Sequence, residues 1–173
     1  MPDDDGFERD VVNELNDHSD GDYFAKRFKQ HRFSSQICDV VVLSSKDEYY
    51  SAIECKSKQV DVEKLNKDNN ETEGKLYFSQ HFSETDEGHQ VENFKEFLDK
   101  SHMKGLLAIA YRRGRGRKVH YYAIEFDLVY QRYQEGETGV PKSFVEEHGI
   151  ELFDRKENGK KKDDKFRKIF DLW

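Results

Sequence analysis

The chain is poor in cysteine and contains no long apolar run. Two cysteines in 173 residues cannot form a disulfide framework or a cysteine-based zinc cluster, and the seven histidines show no ligand spacing. No stretch approaches the roughly 18 apolar residues of a membrane-spanning helix. The first residues, Met1-Pro2-Asp3-Asp4-Asp5, lack the basic start of a signal peptide. These absences predict a soluble, intracellular protein with reduced cysteines.

The composition is that of a folded domain rather than of a disordered chain. The charged fraction, 38%, is high against the usual value of about a quarter. Thirteen Phe and nine Tyr nevertheless supply enough apolar surface for a core. A chain of this length is expected to form one domain. We expect a core at residues 1–130, followed by a charged extension at 131–173 that ends in a short amphipathic helix.

The net charge of −7 at first argues against a nucleic-acid partner, but its distribution reverses that impression. Residues 61–99 hold eleven acids against four lysines and account for the whole deficit. Residues 23–32 carry four fixed positive charges and no acid, and residues 104–118 carry six and no acid. Because affinity for DNA depends on local neutralisation of phosphates, a bipolar molecule can still bind DNA.

The most informative segments are Cys38–Leu43 and Ser51–Lys56, which read as two adjacent strands. Side chains alternate along a strand, so Glu54 and Lys56 share one face. A two-residue turn at residues 46–47 would place Asp39 directly opposite Glu54 and Cys38 opposite Cys55. Opposed Cβ atoms lie roughly 5 Å apart, which lets two carboxylates share one cation. The pattern predicts a divalent-metal site, although a surface hairpin with scattered charges would have the same residues.

The remaining elements follow from periodicity. Phe7–Leu15 and Gln90–His102 are predicted helices, and Glu8 lies at the edge of the apolar stripe of the first helix. Gly105–Tyr111 and Val119–Leu128 are predicted strands, joined by the basic connection 112–118. Within residues 60–89 we expect burial only at 76–78 and a loop at 66–73. The basic, aromatic segment 23–36 precedes the Asp39 strand.

The order of these motifs resembles that of the archaeal Holliday-junction resolvases, a family of restriction-endonuclease-like nucleases. The similarity spans about residues 6–129. The matching segments are Gly6-Phe7-Glu8-Arg9-Asp10-Val11, Cys38-Asp39, Glu54-Cys55-Lys56-Ser57, Gly74-Lys75-Leu76-Tyr77 and Gln90-Val91-Glu92-Asn93-Phe94-Lys95-Glu96-Phe97.

The resemblance implies an α/β fold with a restriction-endonuclease-like core, in which helices flank a central mixed β-sheet. It implies a Mg²⁺-dependent endodeoxyribonuclease, with Mn²⁺ as a substitute, that resolves four-way junctions by paired symmetric nicks in recombination and repair. It raises Glu8 from a helix-dipole residue to an active-site carboxylate. The implied catalytic residues are Glu8, Asp39, Glu54, Lys56 and Gln90, of which Asp39, Glu54 and Glu8 would hold the metal.

The resemblance also implies partners. A homodimer would supply the two active sites that paired nicks require. The protein would act in the cytoplasm on the nucleoid of an archaeal cell or an archaeal virus host. The final residues partly resemble the motif with which archaeal proteins bind the sliding clamp. The expected DNA-binding residues are Lys26, Arg27, Lys29, Arg32, Ser34, Ser35, Arg112, Arg113, Arg115, Arg117 and Lys118.

Two other functions remain open at this point. A restriction- or repair-type endonuclease of the same superfamily would cut linear or flapped DNA with the same residues. A non-catalytic nucleic-acid-binding module would bind DNA without needing Glu54 or Lys56.

Overall fold

The computed structural model describes residues 4–29, 36–65, 72–152 and 167–172. The strands are β1 (Phe24–Arg27), β2 (Val40–Leu43), β3 (Ser51–Gln59), β4 (Leu76–Tyr77), β5 (Glu84–Thr85), β6 (Gly88–His89), β7 (Lys104–Arg112), β8 (Val119–Glu125), β9 (Gly139–Val140) and β10 (Ile150–Glu151). The helices are α1 (Asp4–Asp17), α2 (Val62–Leu65), α3 (Phe78–His81), α4 (Gln90–Ser101), α5 (Phe126–Gln134), α6 (Lys142–His148) and a 3₁₀ helix (Arg167–Leu172).

A six-stranded mixed sheet forms the centre of the molecule. Its strand order is β1-β2-β3-β7-β8-β10, and the pairing is antiparallel except between β3 and β7. Parallel strands require a crossover connection, and α4 lies within the segment that joins β3 to β7. The predicted class, a central mixed sheet flanked by helices, is therefore confirmed.

Two hydrophobic clusters cover the two faces of this sheet. One cluster joins the apolar stripe of α1 to one face. The other joins α4 and α5 to the opposite face, as expected for strands that are covered on both sides. The α1 cluster includes Phe7, Val11, Leu15, Val40, Ile53, Cys55 and Ala108. The α4 cluster includes Cys38, Ala52, Val91, Phe94, Leu98, Leu107, Ile109 and Phe126.

The hairpin of β2 and β3 has the predicted register but a different connection. Val40 pairs with Ile53, and the Asp39 N–H donates to the Ile53 carbonyl at 3.1 Å, so Asp39 follows opposite Glu54. The predicted two-residue turn is wrong, because residues 44–50 form a longer connection with two successive turns. The predicted register is nevertheless observed, because the strand pairing is still symmetric about residues 46 and 47.

The two cysteines are free and buried. The prediction that they face each other on one side of the sheet is wrong. Cys55 belongs to the α1 cluster, whereas Cys38 belongs to the α4 cluster. Cys38 precedes the first residue of β2, so strand alternation does not fix the direction of its side chain. Burial raises the pKa of both thiols.

Helix α4 matches its prediction closely. It begins after His89, whose Nδ1 accepts the Val91 N–H at 3.2 Å, and it ends at His102 in the left-handed conformation. The following strand passes directly beneath the helix. A Cβ atom on Gly105 would lie 2.2 Å from Leu98 Cδ1 and 3.0 Å from Phe126 Cβ, so a larger residue here would displace the Leu98 side chain.

The structure corrects several sequence expectations. Residues 24–27 form strand β1, which the basic composition concealed. The strand that was predicted to reach Leu128 ends at Glu125, because Phe126 and Val129 bury one face of α5. Burial within residues 60–89 is not limited to 76–78 and includes Val60 and Phe82.

The segment after residue 130 contributes to the sheet. Helix α5 spans the expected domain boundary at residue 130, and β10 pairs with β8. In the 3₁₀ helix, Ile169 and Phe170 are buried in the α1 cluster. The described residues do not include 66–71 of the predicted loop. They also do not include Phe166 and Trp173 at the two ends of the predicted C-terminal helix. None of the helices that the structure describes is long and apolar enough to cross a membrane.

Candidate active site

The sheet topology brings the predicted catalytic segments to one end of the molecule. The start of β2 lies beside the middle of β3, because the two strands are antiparallel. The end of β1 reaches the same place, where the Phe28 N–H donates to the Asp39 carbonyl at 2.8 Å. Helix α4 starts over the same region, since Gln90 contacts Glu54. Four separate stretches of sequence therefore meet around Asp39 and Glu54.

Glu54 is the centre of this cluster. Glu54 is only 2% exposed. Oε1 lies 2.6 Å from the Lys56 ammonium and accepts a hydrogen bond from Gln90 Nε2 at 2.6 Å. Oε2 is buried and accepts no hydrogen bond from the described part of the chain. Burial raises the pKa of Glu54, against the opposing effects of Lys56 and Gln90, and the charge of Glu8 adds to the rise.

Lys56 and Gln90 are hydrogen-bonded to each other, and each also contacts Glu54. Gln90 Oε1 accepts from Lys56 Nζ at 3.4 Å and from the Ser83 N–H at 3.1 Å. The amide orientation of Gln90 follows, because its NH₂ group faces a carboxylate and its oxygen faces two donors. The Lys56 ammonium also lies 5.0 Å from the centroid of the Phe82 ring, which fixes the long side chain from a second side.

Each of the two carboxylate oxygens of Asp39 accepts a hydrogen bond. Oδ2 accepts the Cys55 backbone N–H at 2.7 Å, and Oδ1 accepts from Gln36 Nε2 at 2.7 Å. Gln36 Nε2 also donates to the Cys38 carbonyl at 3.0 Å, so it links the side chain and the backbone at the start of β2. The bond to Cys55 ties the Asp39 carboxylate to the strand that carries Glu54.

Glu8 is placed differently from the other predicted catalytic residues. Its Oε2 accepts from Arg27 Nε at 2.9 Å and from Arg27 Nη2 at 2.6 Å. Both side chains are largely buried, with 12% of Glu8 and 21% of Arg27 exposed. Glu8 nevertheless contributes to the raised pKa of Glu54. The structure thus puts Glu8 within electrostatic reach of Glu54 while Arg27 holds its carboxylate.

Some of the donor atoms at this site, the carboxylate oxygens, suit a hard divalent cation. Glu54 Oε2 is a buried carboxylate oxygen without a hydrogen bond, and Asp39 stands beside it. Carboxylate oxygens are the ligands that Mg²⁺ prefers. Within the described ranges, no three His, Cys, Asp or Glu side chains form a ready-made metal cluster. Asp39 and Glu54 are therefore the two carboxylates that lie side by side, and Glu8, which Arg27 binds through Oε2, is a third carboxylate within electrostatic reach of Glu54.

Two of the predicted DNA-binding segments lie at the same end of the sheet. Lys26 and Lys29 are exposed at and just beyond the end of β1. The parallel pairing of β3 with β7 aligns Gln59 with Arg112, so the basic connection 112–118 begins beside the end of β3. In this connection Gly114 and Gly116 adopt positive φ. Arg32, Ser34 and Ser35 lie outside the described residues.

Sequence reasoning missed several side chains at this site. Gln36, which holds Asp39, and Phe82, which contacts Lys56, belong to no recognisable motif. Arg27 was expected to bind DNA, but it is paired with Glu8. The excess of basic residues in 23–32 was the only sequence signal, and it concerned Arg27 alone. The contacts of Arg27 with Glu8 and of Phe82 with Lys56 join residues that are distant in the sequence, whereas Gln36 lies only three positions before Asp39.

The comparisons with known proteins concern the fold. No protein-family model matches the sequence, and no curated protein sequence matches it. A similar solved structure is that of Hjc, a Holliday junction resolvase from the archaeal hyperthermophile Archaeoglobus fulgidus. The two chains are 18% identical, and the match covers 86% of this chain and 95% of that chain with a TM-score of 0.51. At the level of fold, the resemblance to the archaeal Holliday-junction resolvases is therefore confirmed.

Proposed function

We propose that this chain is a metal-dependent DNA endonuclease that resolves four-way junctions by paired symmetric nicks. The observation that carries the proposal is the buried Glu54 carboxylate. It has one oxygen held by Lys56 and Gln90, and one buried oxygen without a hydrogen bond in the described part of the chain. Lys56 compensates the charge through Oε1, but a buried oxygen without a hydrogen bond is costly, and a metal ion bound at Oε2 would remove that cost. The fold shared with Hjc supports the choice of substrate.

Asp39 and Glu54 would hold Mg²⁺ or Mn²⁺, together with Glu8, whose Oε2 accepts from Arg27. The bound metal would act as a Lewis acid toward the scissile phosphate. The contacts of Asp39 with Cys55 and Gln36 fix its carboxylate in advance. Such supporting hydrogen bonds typically orient the ligands of a metal site.

Lys56 would stabilise the negative charge that develops on the phosphate during hydrolysis. Its side chain is 17% exposed, and its ammonium is fixed by Glu54 and the Phe82 ring, so little reorganisation is needed. A preorganised charge of this kind stabilises a transition state more than the same charge in water. Gln90 would orient Glu54 and Lys56, because it hydrogen-bonds both.

Binding of DNA would use the basic residues at this end of the sheet. Lys26, Lys29 and the connection 112–118 would contact backbone phosphates on either side of the carboxylates. Such contacts give an affinity that falls steeply with salt concentration.

A two-fold symmetric homodimer would place two such sites on a nearly two-fold symmetric junction. The protein would then act on the DNA of an archaeal cell or an archaeal virus. The tail offers less support for a sliding-clamp partner, because Ile169 and Phe170 are buried against their own domain. A clamp would first have to extract these side chains.

The test is cleavage of a labelled four-way junction beside a linear duplex of the same sequence. Wild type and Glu54→Gln are compared in Mg²⁺ and in EDTA, with Glu96→Gln as a control for an exposed glutamate on α4. We expect paired nicks on the junction alone, lost in EDTA and in Glu54→Gln but kept in Glu96→Gln. Equal cutting of the duplex would instead assign a general endonuclease. Junction binding without any cleavage would assign a non-catalytic binding module.

A further inference from the structure

Strand β3 continues beyond the active site with a second basic residue on the same face. Glu54, Lys56 and Lys58 occupy alternate positions, so their side chains point to the same side of the sheet. Successive members of this set are about 6.6 Å apart along the strand. Exposure rises along it, from the buried Glu54 to the half-buried Lys56 and Lys58. Lys58 is therefore the next side chain after Lys56 to reach this surface.

His81, the last residue of α3, stands over Lys58. Its Nε2 lies 3.2 Å from Lys58 Nζ. The Tyr77 backbone N–H points at His81 Nδ1 at 2.9 Å, and the Tyr77 carbonyl oxygen lies 3.2 Å from the same nitrogen, so Nδ1 can accept or donate. Where Nδ1 accepts from the Tyr77 N–H, the proton of the neutral imidazole lies on Nε2, and the Lys58 ammonium and the His81 Nε2–H are two donors that face each other. In the other tautomer, Lys58 Nζ donates to Nε2 and keeps its remaining N–H groups for a ligand.

The charges around this pair are positive. Burial lowers the pKa of His81, and Lys58 and Lys56 lower it further. The Tyr77 ring stacks on the His81 ring with centroids 6.4 Å apart, and Lys75 Nζ lies 5.3 Å from the centroid of that same Tyr77 ring. Cations therefore extend from Lys56 past Lys58 and His81 to Lys75. An arrangement of donors and positive charges favours a ligand that has only acceptor oxygens and a negative charge.

We propose that Lys58 and His81 form a binding site for a non-scissile phosphate of the DNA backbone, one step along the strand from the phosphate held at Lys56. This inference rests on the proposed function, because it uses the same DNA. A backbone phosphodiester accepts hydrogen bonds from both groups and compensates the charge of Lys58. Contacts to phosphates fix the register of a protein on DNA without reading sequence. The site would therefore set which phosphate enters the carboxylate cluster.

The path to the next cations agrees with this assignment. Val60 N–H donates to the Arg112 carbonyl at 2.7 Å, so β3 leads directly from Lys58 to the start of the basic connection 112–118. A single DNA strand could thus run from Lys56 over Lys58 and His81 toward Arg112. The site depends on His81, a residue that the sequence analysis did not single out.

The test uses junctions that carry one uncharged methylphosphonate at successive positions around the branch point. Binding is measured in EDTA by fluorescence anisotropy across a salt series, for wild type, Lys58→Met, His81→Gln and the double variant. Lys46→Met is the control, because Lys46 is an exposed lysine in the connection between β2 and β3, at the other end of the sheet. Thermal melts of each variant establish that it is folded.

We expect Lys58→Met to lower the slope of log affinity against log salt by about one, with Lys46→Met unchanged. One methylphosphonate position should weaken wild-type binding and have no effect on Lys58→Met. The double variant should lose less than the sum of the two single losses, because both residues donate to one phosphate. Equal behaviour of Lys58→Met and Lys46→Met would overturn the phosphate site.

Cleavage of the unmodified junction in Mg²⁺ separates this inference from the proposed function. Suppose that the wild type cuts the junction normally, but no methylphosphonate position weakens its binding more than that of Lys58→Met. This result would overturn the phosphate site alone. A local phosphate effect at Lys58 in a protein that never cuts junctions would support the site and overturn the resolvase assignment. Absence of any DNA binding by the wild type would overturn both.

Discussion

Gln90 Nε2 donates to Glu54 Oε1 at 2.6 Å, and this hydrogen bond joins the first residue of α4 to the middle of β3. The two residues are thirty-six positions apart, so no local pattern could position one against the other. Gln90 also accepts the Ser83 N–H and thereby connects the carboxylate to the segment before α4. The helix start is thus part of the candidate site as well as of the fold.

Replacement of Gln90 by alanine should lower junction cleavage by about 10–100-fold, because Glu54 and Lys56 lose the group that orients them. Steady-state cleavage in Mg²⁺ measures this effect. Gln131→Ala is the matched control, since Gln131 is an exposed glutamine on α5 that contacts only Glu135 among the bonds described. Equal rates for the two variants would mean that Gln90 supports α4 and has no role at the site.

Mg²⁺ should stabilise the folded chain through Asp39 and Glu54, independently of any cleavage. At one hundred times its dissociation constant it would add about 2.7 kcal/mol, which corresponds to a rise in Tm of about 5–10 °C. Scanning calorimetry in Mg²⁺ and in EDTA measures this rise. Glu54→Gln should lose the effect, whereas Glu96→Gln should keep it. A Tm of the wild type that does not respond to Mg²⁺ would contradict a metal site here.

The pair between Glu8 and Arg27 should stabilise the fold more than an exposed ion pair does. Arg27→Met should cost about 1–3 kcal/mol of unfolding free energy, because it leaves a largely buried carboxylate without this partner. Lys46→Met removes the exposed pair with Asp22 and should cost less than about 1 kcal/mol. Urea denaturation of both variants gives the comparison. Similar losses of unfolding free energy in Arg27→Met and Lys46→Met would mean that the Glu8 carboxylate is solvated.

His81 should make the stability of the protein sensitive to mild acid. Burial and the cations Lys58 and Lys56 lower its pKa in the folded chain below the ordinary value of 6.5. Between these two values the unfolded chain binds a proton that the folded chain does not, so stability falls as the pH drops through 6.5. His81→Gln should remove part of this fall. Urea midpoints from pH 7.5 to pH 5 measure the difference, which would vanish if His81 titrated normally.

The 3₁₀ helix should contribute to stability through Phe170. Its ring lies 4.9 Å from the ring of Tyr23 and 5.0 Å from that of Tyr49, and the residue is 6% exposed. Phe170→Ala should therefore cost about 3–5 kcal/mol. Asp171→Ala, at an exposed neighbour, should change stability by less than about 0.5 kcal/mol. Thermal melts decide between this docked position and a tail that is free to bind a partner.

Much of the local structure could be predicted from the pattern of side chains. Side-chain periodicity predicted the apolar stripe of α1, the span of α4 and the strand character of residues 40–43 and 51–56. It did not predict that the second strand continues to Gln59. The register that opposes Asp39 and Glu54 was also predictable, because it depends on the midpoint of a short connection. Strand β1 was not predictable, since four residues with two cations have no apolar alternation of their own.

The side chains that surround the carboxylates are brought there by long-range packing. The pairings of Glu54 with Gln90, of Glu8 with Arg27 and of Lys58 with His81 each join residues separated by 19 to 36 positions. Such contacts arise from the packing of α1, α3 and α4 on the two faces of the sheet, which pattern analysis of one element cannot reach. The sequence therefore determined the elements and the reactive residue types. Long-range packing determined the hydrogen bonds that hold them in place.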